Sequence, residues 1–244
     1  MCIRKMLFNV LKGFKYTRFK LNVRYVSNLQ TKQPVSDCLP PYFTLCKEFI
    51  DGNAELASSL LNCMTVHNDF LSEAEEQSIL DEVDPYMKKL RYEFDHWDDA
   101  IHGYRETERL KWNESNTKIL DRVRSIAFPP NVAQLKFVHI LDLDKNGYIK
   151  PHIDAIRFCG NTIAGLSLLS DSIMRLVHDK NKCLNADILL KRRSLYIMKD
   201  SARFDYTHEI LSNDNSVFKD QKVFKDRRIS VICRNEPDPE NKKL

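Results

Sequence analysis

Residues 147–154 read GYIKPHID, and this segment places two potential metal ligands, His152 and Asp154, two positions apart. In an extended segment, side chains two positions apart lie on the same side of the backbone. A neutral imidazole and a carboxylate at this spacing can therefore converge on one cation. The H-x-D pattern is short and arises often by chance, and a lone histidine is usually structural. Its meaning depends on the residues further along the chain.

A third potential ligand and two basic side chains come after this segment in order. His208 lies in DYTHEI at residues 205–210, and RISVICR occupies residues 228–234. Two histidines and one carboxylate on one face of a metal leave its other positions open, which is the arrangement of non-haem iron(II) oxygenases. The order therefore predicts an iron site formed by His152, Asp154 and His208.

The segment RISVICR predicts a strand with two different faces. Alternation places Arg228, Ser230, Ile232 and Arg234 on one face, while the residues between them pack on the other. Two arginines on one face of a mostly buried strand are costly unless they meet anions. A dicarboxylate cofactor would supply these anions, because guanidinium groups match carboxylates in bidentate fashion. The alternative is a pair of structural salt bridges.

Helical patterns come first in the chain and short β-type runs come later. A capping box at Ser72–Glu75 begins one helix, and Trp112–Ile126 predicts a second helix with Ile126 on its inward face. The strand-like runs are Phe137–Leu141, Ala164–Leu169, Ser172–Val177, Ser194–Met198 and Ile229–Cys233. This order predicts an α+β protein whose β-sandwich or jelly roll is supported by helices.

The amino terminus is basic and amphipathic. Residues 1–36 contain eight lysines and arginines and no acid, and apolar residues recur at helical spacing between Ile3 and Phe14. This pattern predicts a mitochondrial transit peptide over residues 1–26, cleaved near residues 25–27. The alternative is a basic surface helix or a nucleic-acid-binding arm. Residues 27–66 are predicted to be a linker or loosely packed arm, and residues 237–244 a disordered tail.

Composition narrows the classes of protein further. The net charge of +4 includes the eight basic side chains of residues 1–36, so the rest of the chain carries −4, and its overall field does not favour a polyanion. The seven cysteines contain no C-x-x-C pair, which predicts reduced thiols rather than a disulfide framework or zinc ribbon. No stretch approaches the roughly 20 consecutive apolar residues that cross a bilayer.

Several long segments resemble the AlkB-type dioxygenases, and in particular their mitochondrial branch in animals. These segments are RYEFDHWDDAIHGYRETE, GYIKPHIDAIRFCG, TIAGLSLLS, MRLVH and RRISVICR, and the resemblance runs from about Asp69 to Arg234. It implies a double-stranded β-helix (jelly-roll) domain over residues 67–236 that uses Fe(II), 2-oxoglutarate and O2. It also implies the mitochondrial matrix and roles in alkylation-induced programmed necrosis and fatty-acid metabolism.

The resemblance also implies the roles of individual residues. His152, Asp154 and His208 match the iron ligands of the family. Arg228 matches the arginine that pairs with the distal carboxylate of 2-oxoglutarate, and Arg234 matches a second arginine nearer the metal. The resemblance suggests Tyr196 and His139 as further hydrogen-bonding partners of 2-oxoglutarate, although both would also suit ordinary strand positions.

Two departures from the family bear on the substrate. Members that demethylate nucleic acids carry a polar or acidic residue two positions after the ligand aspartate, where this chain has Ile156, and no aromatic base-clamping lid is evident. The prediction is therefore a protein hydroxylase, with Ile156 facing the mouth of the site. A demethylase of mitochondrial tRNA and a regulator that acts mainly by binding are the alternatives, and duplex DNA repair is excluded. Residues 91–97 form either an amphipathic strand or hairpin over the core or a substrate-facing rim.

Overall fold

The computed structural model describes residues 39–94 and 100–241. The helices in these ranges are α1 (Lys47–Gly52), α2 (Ala54–Cys63), α3 (Glu73–Met87), α4 (Glu114–Ala127) and α5 (Asp200–Phe204). The strands are β1 (Phe43–Leu45), β2 (Met64–His67), β3 (Ile101–Arg109), β4 (Val138–His152), β5 (Thr162–Leu168), β6 (Ser172–His178), β7 (Asn185–Leu190), β8 (Ser194–Lys199), β9 (Tyr206–Ile210), β10 (Val217–Phe218), β11 (Gln221–Lys222) and β12 (Arg228–Arg234).

Nearly all of these strands join one antiparallel sheet that curls around a central cavity. The order of its strands is β1-β7-β6-β9-β4-β12-β5-β8-β2, with β3 paired to β4, and β10 and β11 form a separate hairpin. Mostly antiparallel strands in a curled sheet, flanked by a few helices, are the predicted α+β jelly-roll architecture.

The long strand β4 connects the two halves of the sheet. Its first half pairs with β12, and its last residues pair with β9. The pairing of β4 with β3 shifts register beside Gly103, which adopts a positive φ of 64°. A Cβ atom at Gly147 would overlap the backbone of residues 102–103, so glycine permits the close approach of the two strands at this bend. The bend carries the end of β4 towards β9.

Strand β12 separates two hydrophobic cores, as its alternation predicted. Ile229, Val231 and Cys233 pack against the helices α3 and α4 in one core. Arg228, Ser230, Ile232 and Arg234 line the cavity on the other side. The second core surrounds this cavity and contains apolar residues from both halves of the sheet. The helices therefore support the strand that carries both arginines.

The helix predictions are confirmed in type and corrected in detail. Ser72 caps α3 and forms the predicted capping box with Glu75, through bonds of 2.9 and 3.2 Å between backbone N–H groups and side-chain oxygens. Helix α4 begins at Glu114 instead of Trp112, because Asn113 provides its N-cap. The prediction that Ile126 faces inward was wrong, since its side chain is exposed.

The predicted loose arm at residues 27–66 differs from the structure over its second part. Strand β1 pairs with β7, and β2 pairs with β8, so both strands extend the sheet. Phe43, Phe49 and Leu60 are fully buried in the core around the cavity. Neighbouring strands stabilise these segments, and tertiary pairing of this kind leaves no periodic signal in a short sequence. The predicted transit peptide lies outside the described residues, as do residues 242–244 of the predicted tail.

Two further expectations concern cysteines and membranes. Within the described ranges, Cys46, Cys63, Cys159, Cys183 and Cys233 are free thiols, as the absence of paired spacing predicted. None of the helices in those ranges is long and apolar enough to cross a membrane.

Candidate metal and cosubstrate site

The three predicted metal ligands meet at one end of the cavity. His152 is the last residue of β4 and pairs in register with His208 on β9, which places the two imidazoles side by side. Asp154 lies two residues further along the chain, and its Oδ1 atom is 3.4 Å from His152 Nε2 and 3.7 Å from His208 Nε2. One potential donor atom from each residue lies within 4.8 Å of the others. This donor set is the one that suits non-haem iron(II).

The protonation states of this cluster also suit a cation. Burial, followed by the nearby charge of His152, lowers the pKa of His208 to about 3, so this imidazole is neutral at physiological pH. Burial alone would raise the pKa of Asp154, but hydrogen bonding to His152 and the neighbouring positive charges outweigh burial and lower it. The His152 Nδ1 lies 2.9 Å from the carbonyl oxygen of Lys150. A proton on Nδ1 would satisfy that carbonyl and leave the Nε2 lone pair directed at the cluster.

The cluster opens into a cavity of about 330 Å³. Its walls are mainly apolar and come largely from β3, β4, β5, β6, β8, β9 and β12. The apolar lining includes Ile101, Leu141, Ile149, Ile153, Ile163, Met174, Met198, Ile210 and Ile232. All four of the predicted cosubstrate residues line the same cavity: Arg228, Arg234, Tyr196 and His139. The structure thus brings together every site residue that the sequence predicted.

Arg228 lies at the buried end of this cavity with only 1% of its surface exposed. Its Nε donates to Ser167 Oγ at 3.1 Å, and its Nη1 donates to Ser230 Oγ at 2.7 Å. Its Nη2 has no partner among the described residues, and burial lowers the pKa of the guanidinium. A buried cation held only by neutral hydroxyl groups needs an anion. The distal carboxylate of 2-oxoglutarate fits this requirement.

Tyr196 reaches the cavity because its neighbour on β5 is a glycine. Tyr196 on β8 pairs with Gly165, and a Cβ atom at that position would overlap the tyrosine ring. The ring therefore lies against the β5 backbone at Gly165 and feels the charge of Arg228. Burial is the largest cause of the raised pKa of Tyr196. Gly165 is a component of this site that the sequence analysis missed.

Arg234 lies beside the metal ligand Asp154, and His139 lines the same cavity next to β3. Arg234 Nη2 lies 3.5 Å from Asp154 Oδ2, and its Nε has no partner among the described residues. His139 Nε2 lies 2.8 Å from Glu106 Oε2 on β3, and its buried Nδ1 likewise lacks a partner among them. Glu106 also lines the cavity and was not predicted from the sequence.

Ile156 does not lie at the mouth of the cavity, where the sequence predicted it. Strand β4 ends at His152, and residues 156–158 form a turn, so the alternation that would direct Ile156 towards the metal does not continue. Ile156 does not line the cavity, whereas Arg157 and Phe158 do. Phe158 is 60% exposed, and the Arg157 guanidinium stacks over its ring at 4.7 Å. These two residues replace Ile156 as the side chains at the mouth.

Comparison with solved structures identifies the fold. A prolyl hydroxylase from Trichoplax adhaerens, solved with a peptide fragment of the hypoxia inducible factor oxygen degradation domain, matches with a TM-score of 0.53 and 13% identity. The match covers 79% of this chain and 93% of that chain. OsALKBH1 matches with a TM-score of 0.52 and 11% identity. This match covers 70% of this chain and 97% of that chain. At these identities the matches show a shared fold, and the His-Asp-His cluster adds to it the donor set that suits non-haem iron(II).

Comparison with curated proteins identifies the family, although no family model matches the chain. The mitochondrial alpha-ketoglutarate-dependent dioxygenase alkB homolog 7 of Bos taurus is 50% identical over 187 residues, covering 77% of this chain and 85% of the relative. The alkB homolog 7 of Mus musculus is 51% identical over 173 residues, covering 71% of this chain and 78% of the relative. The chain therefore belongs to the alkB homolog 7 family. It is an Fe(II)- and 2-oxoglutarate-dependent dioxygenase, and the names of these relatives support the predicted mitochondrial location.

A more distant relative has a different named activity. The DNA N6-methyl adenine demethylase of Caenorhabditis elegans is 24% identical over 217 residues, covering 83% of this chain and 71% of the relative.

Proposed function

We propose that His152, Asp154 and His208 hold the iron and that Arg228 binds the distal carboxylate of 2-oxoglutarate. The ligand atoms of the two histidines and the aspartate lie within 4.8 Å of one another. Arg228, whose Nη2 has no partner among the described residues, lines the same cavity. When bound, iron and 2-oxoglutarate supply the oxidising power that hydroxylates a C–H bond with dioxygen and release succinate and carbon dioxide.

The protein's contribution is to position the reactants and to exclude water. Arg228 would fix one end of 2-oxoglutarate, while Arg234, Tyr196 and His139 offer donors along the cavity towards the metal. The apolar walls exclude water from the space where the substrate group enters, which limits side reactions of the oxidant.

We infer further that the substrate is a protein side chain and that the protein is a hydroxylase. The observation that carries this inference is the shape and lining of the cavity. Its walls are mainly apolar, which suits an aliphatic side chain and offers few hydrogen-bonding partners to the edge of a base. Among the described residues, Phe158 is the one phenyl-type ring at the mouth, and a flipped base usually needs stacking on more than one side chain.

The test is to identify what the enzyme captures and modifies. Manganese-substituted enzyme should bind but not turn over its substrate, so incubation with matrix extract should enrich the substrate. Mass spectrometry should then detect a gain of about 16 Da on a captured protein after incubation with the iron enzyme, 2-oxoglutarate and O2. A variant with His208→Ala serves as the control that cannot oxidise. Loss of a methyl group from captured RNA, with no oxidised protein, would contradict the hydroxylase assignment.

A demethylase of mitochondrial RNA, with tRNA as its target, is the second candidate. The relative from Caenorhabditis elegans, named as a DNA demethylase, favours nucleic acid, and Arg157 stacked on Phe158 offers a cation and a ring at the mouth. Parallel assays of 1-methyladenine in tRNA, single-stranded DNA and duplex DNA would decide between the candidates. We expect negligible turnover of the duplex, because Phe158 offers a single ring at the mouth and extruding a base from a duplex costs more than from a single strand.

Three finer assignments stay predictions. They are the mitochondrial matrix as the compartment, the roles in alkylation-induced programmed necrosis and fatty-acid metabolism, and the alternative that the protein regulates a partner mainly by binding. Rescue of a deletion strain by the His208→Ala variant would favour the binding role, and failure of rescue would favour turnover.

A further inference from the structure

The two oxygens of the Asp154 carboxylate face different groups. Oδ1 faces the imidazoles of His152 and His208, where a metal would bind. Oδ2 points away from them and lies 3.5 Å from Arg234 Nη2 and 3.9 Å from Cys159 Sγ. The thiol is the donor in the second contact, since a carboxylate can only accept. Cys159 lies five residues further along the chain, beyond the turn at 156–158, and is only 1% exposed.

A buried arginine contacts this thiol. Arg203, on the short helix α5, is 0% exposed, and its Nη2 donates to Cys159 Sγ at 3.3 Å. Its Nε and Nη1 have no hydrogen-bond partner among the described residues, and its Cζ lies 4.9 Å from the centre of the Phe204 ring. A fully buried guanidinium without a hydrogen-bonded anion is costly, which points to a role for Arg203 at this position.

We propose that Cys159 and Arg203 are positioning residues that fix the Asp154 carboxylate for metal binding. Because Arg203 donates to the sulfur, the thiol hydrogen is directed away from the guanidinium and towards Asp154 Oδ2. This contact and the one from Arg234 hold Oδ2, so that Oδ1 stays aimed at the two imidazoles. The proposal rests on the proposed role of Asp154 as an iron ligand.

The general physics of metal sites gives the expected size of the effect. Partners that orient a ligating carboxylate or imidazole change metal affinity by about 10- to 100-fold when they are removed. The sulfur contact is long and weak, so the lower end of this range applies to Cys159. Removal of Arg203 also takes away a positive charge beside the metal, which would by itself strengthen cation binding. A loss of metal affinity in that variant would therefore report the lost orientation and not the changed charge.

The chain offers a matched control in Cys233. This second buried cysteine is also 1% exposed, and its thiol also has an arginine neighbour, Arg124. It faces the core of α3 and α4, away from the cavity. Cys159→Ala and Cys233→Ala therefore remove the same atoms from equally buried positions. They differ in whether the thiol contacts the carboxylate of Asp154.

The experiment is a titration of the purified, metal-free full chain with Mn(II). The electron paramagnetic resonance signal of unbound Mn(II) measures how much of the ion remains free. We expect Mn(II) to bind about 10-fold more weakly to Cys159→Ala and to Arg203→Met, and within about twofold of the unchanged chain to Cys233→Ala. Arg203→Lys should fall between Arg203→Met and the unchanged chain, because an ammonium group retains one donor for the sulfur. Unfolding midpoints of the two cysteine variants provide the check that both lose similar stability.

The proposal is overturned if Cys159→Ala and Arg203→Met are folded and bind Mn(II) as tightly as the unchanged chain. If Arg203→Met does not fold, the comparison of the two cysteine variants decides alone. Asp154→Ala separates this result from the proposed function. Retention of Mn(II) by Asp154→Ala would refute its role as a ligand, whereas its loss together with normal binding by Cys159→Ala would refute only the positioning role.

Discussion

Replacing Arg228 with methionine should weaken the binding of 2-oxoglutarate without lowering the stability of the protein. The guanidinium is 1% exposed, bonds only to the hydroxyl groups of Ser167 and Ser230, and has an unpaired Nη2 within the described residues. Methionine retains most of the length of the side chain without the charge. In the absence of 2-oxoglutarate, we expect the free energy of unfolding to stay unchanged or to rise, because a buried charge without an anion is removed.

The affinity should change in the opposite direction. Removal of one partner from a buried, hydrogen-bonded charge pair costs about 2–5 kcal/mol, which corresponds to a roughly 30- to 5,000-fold increase in the Kd for 2-oxoglutarate. Ligand at 100 times its Kd stabilises a protein by about 2.7 kcal/mol. At the same concentration, even a 30-fold loss of affinity would reduce this stabilisation to about 0.9 kcal/mol.

The assay is chemical unfolding of the manganese-loaded enzyme with and without 2-oxoglutarate. Arg227→Gln is the control, because Arg227 is the adjacent arginine but pairs with Asp84 at 2.6 Å and with Asp142 at 2.8 Å, away from the cavity. Arg227→Gln should lose stability and keep the full stabilisation by 2-oxoglutarate. The reasoning is refuted if Arg228→Met is stabilised by 2-oxoglutarate as strongly as the unchanged chain.

Three further predictions address stability, pH and targeting. Asp142→Asn should lower the free energy of unfolding by about 3–5 kcal/mol, because this 0% exposed carboxylate lies 2.7 Å from Arg105 and 2.8 Å from Arg227. Asp187→Asn, at a partly exposed pair with Arg175, should cost less than half as much in the same denaturant titration. Burial lowers the pKa of Lys225 to about 8, so between about pH 8 and 10.4 the unfolded chain binds more protons than the folded chain. The free energy of unfolding should therefore rise with pH across this window. Lys225→Met should reduce that rise by up to about 3 kcal/mol, and an unchanged slope would contradict a buried ammonium group at Lys225. Residues 1–36 fused to a fluorescent protein should direct it to mitochondria, whereas nuclear fluorescence would favour the alternative of a nucleic-acid-binding arm.

The sequence predicted the parts of the site that depend on local periodicity and on the order of motifs. Alternation along β12 placed Arg228 and Arg234 on the cavity face, and the H-x-D spacing placed His152 and Asp154 together. Both inferences need only the geometry of one extended segment. The order of the motifs then indicated His208, and the resemblance to the family agreed with it. Its contact with His152 depends on the pairing of β9 with β4.

The sequence did not predict what depends on where a strand ends or on contacts between distant segments. Alternation was extended from Asp154 to Ile156, but β4 ends at His152, and the turn after it presents Arg157 and Phe158 instead. Arg203 contacts Cys159 across 44 positions of sequence, and no local pattern indicates that pair. The folded segment of residues 43–67 was also missed, because pairing with β7 and β8 stabilises its strands.

The secondary-structure elements that carry the site residues indicate which residues serve the chemistry and which select the substrate. His152, His208 and Arg228 lie on β4, β9 and β12, which have neighbouring strands on both sides, so their backbones are held rigidly. Arg157 and Phe158 lie on a turn, and Glu106 lies on β3, which pairs with β4 alone among the strands described. Turns and peripheral strands tolerate changes that interior strands do not. One fold can host different substrates when its peripheral residues differ. The identity of the substrate should accordingly depend on the turn at 156–158 and the face of β3, and variants at Arg157, Phe158 and Glu106 should change which substrate is oxidised while leaving the affinity for Mn(II) intact.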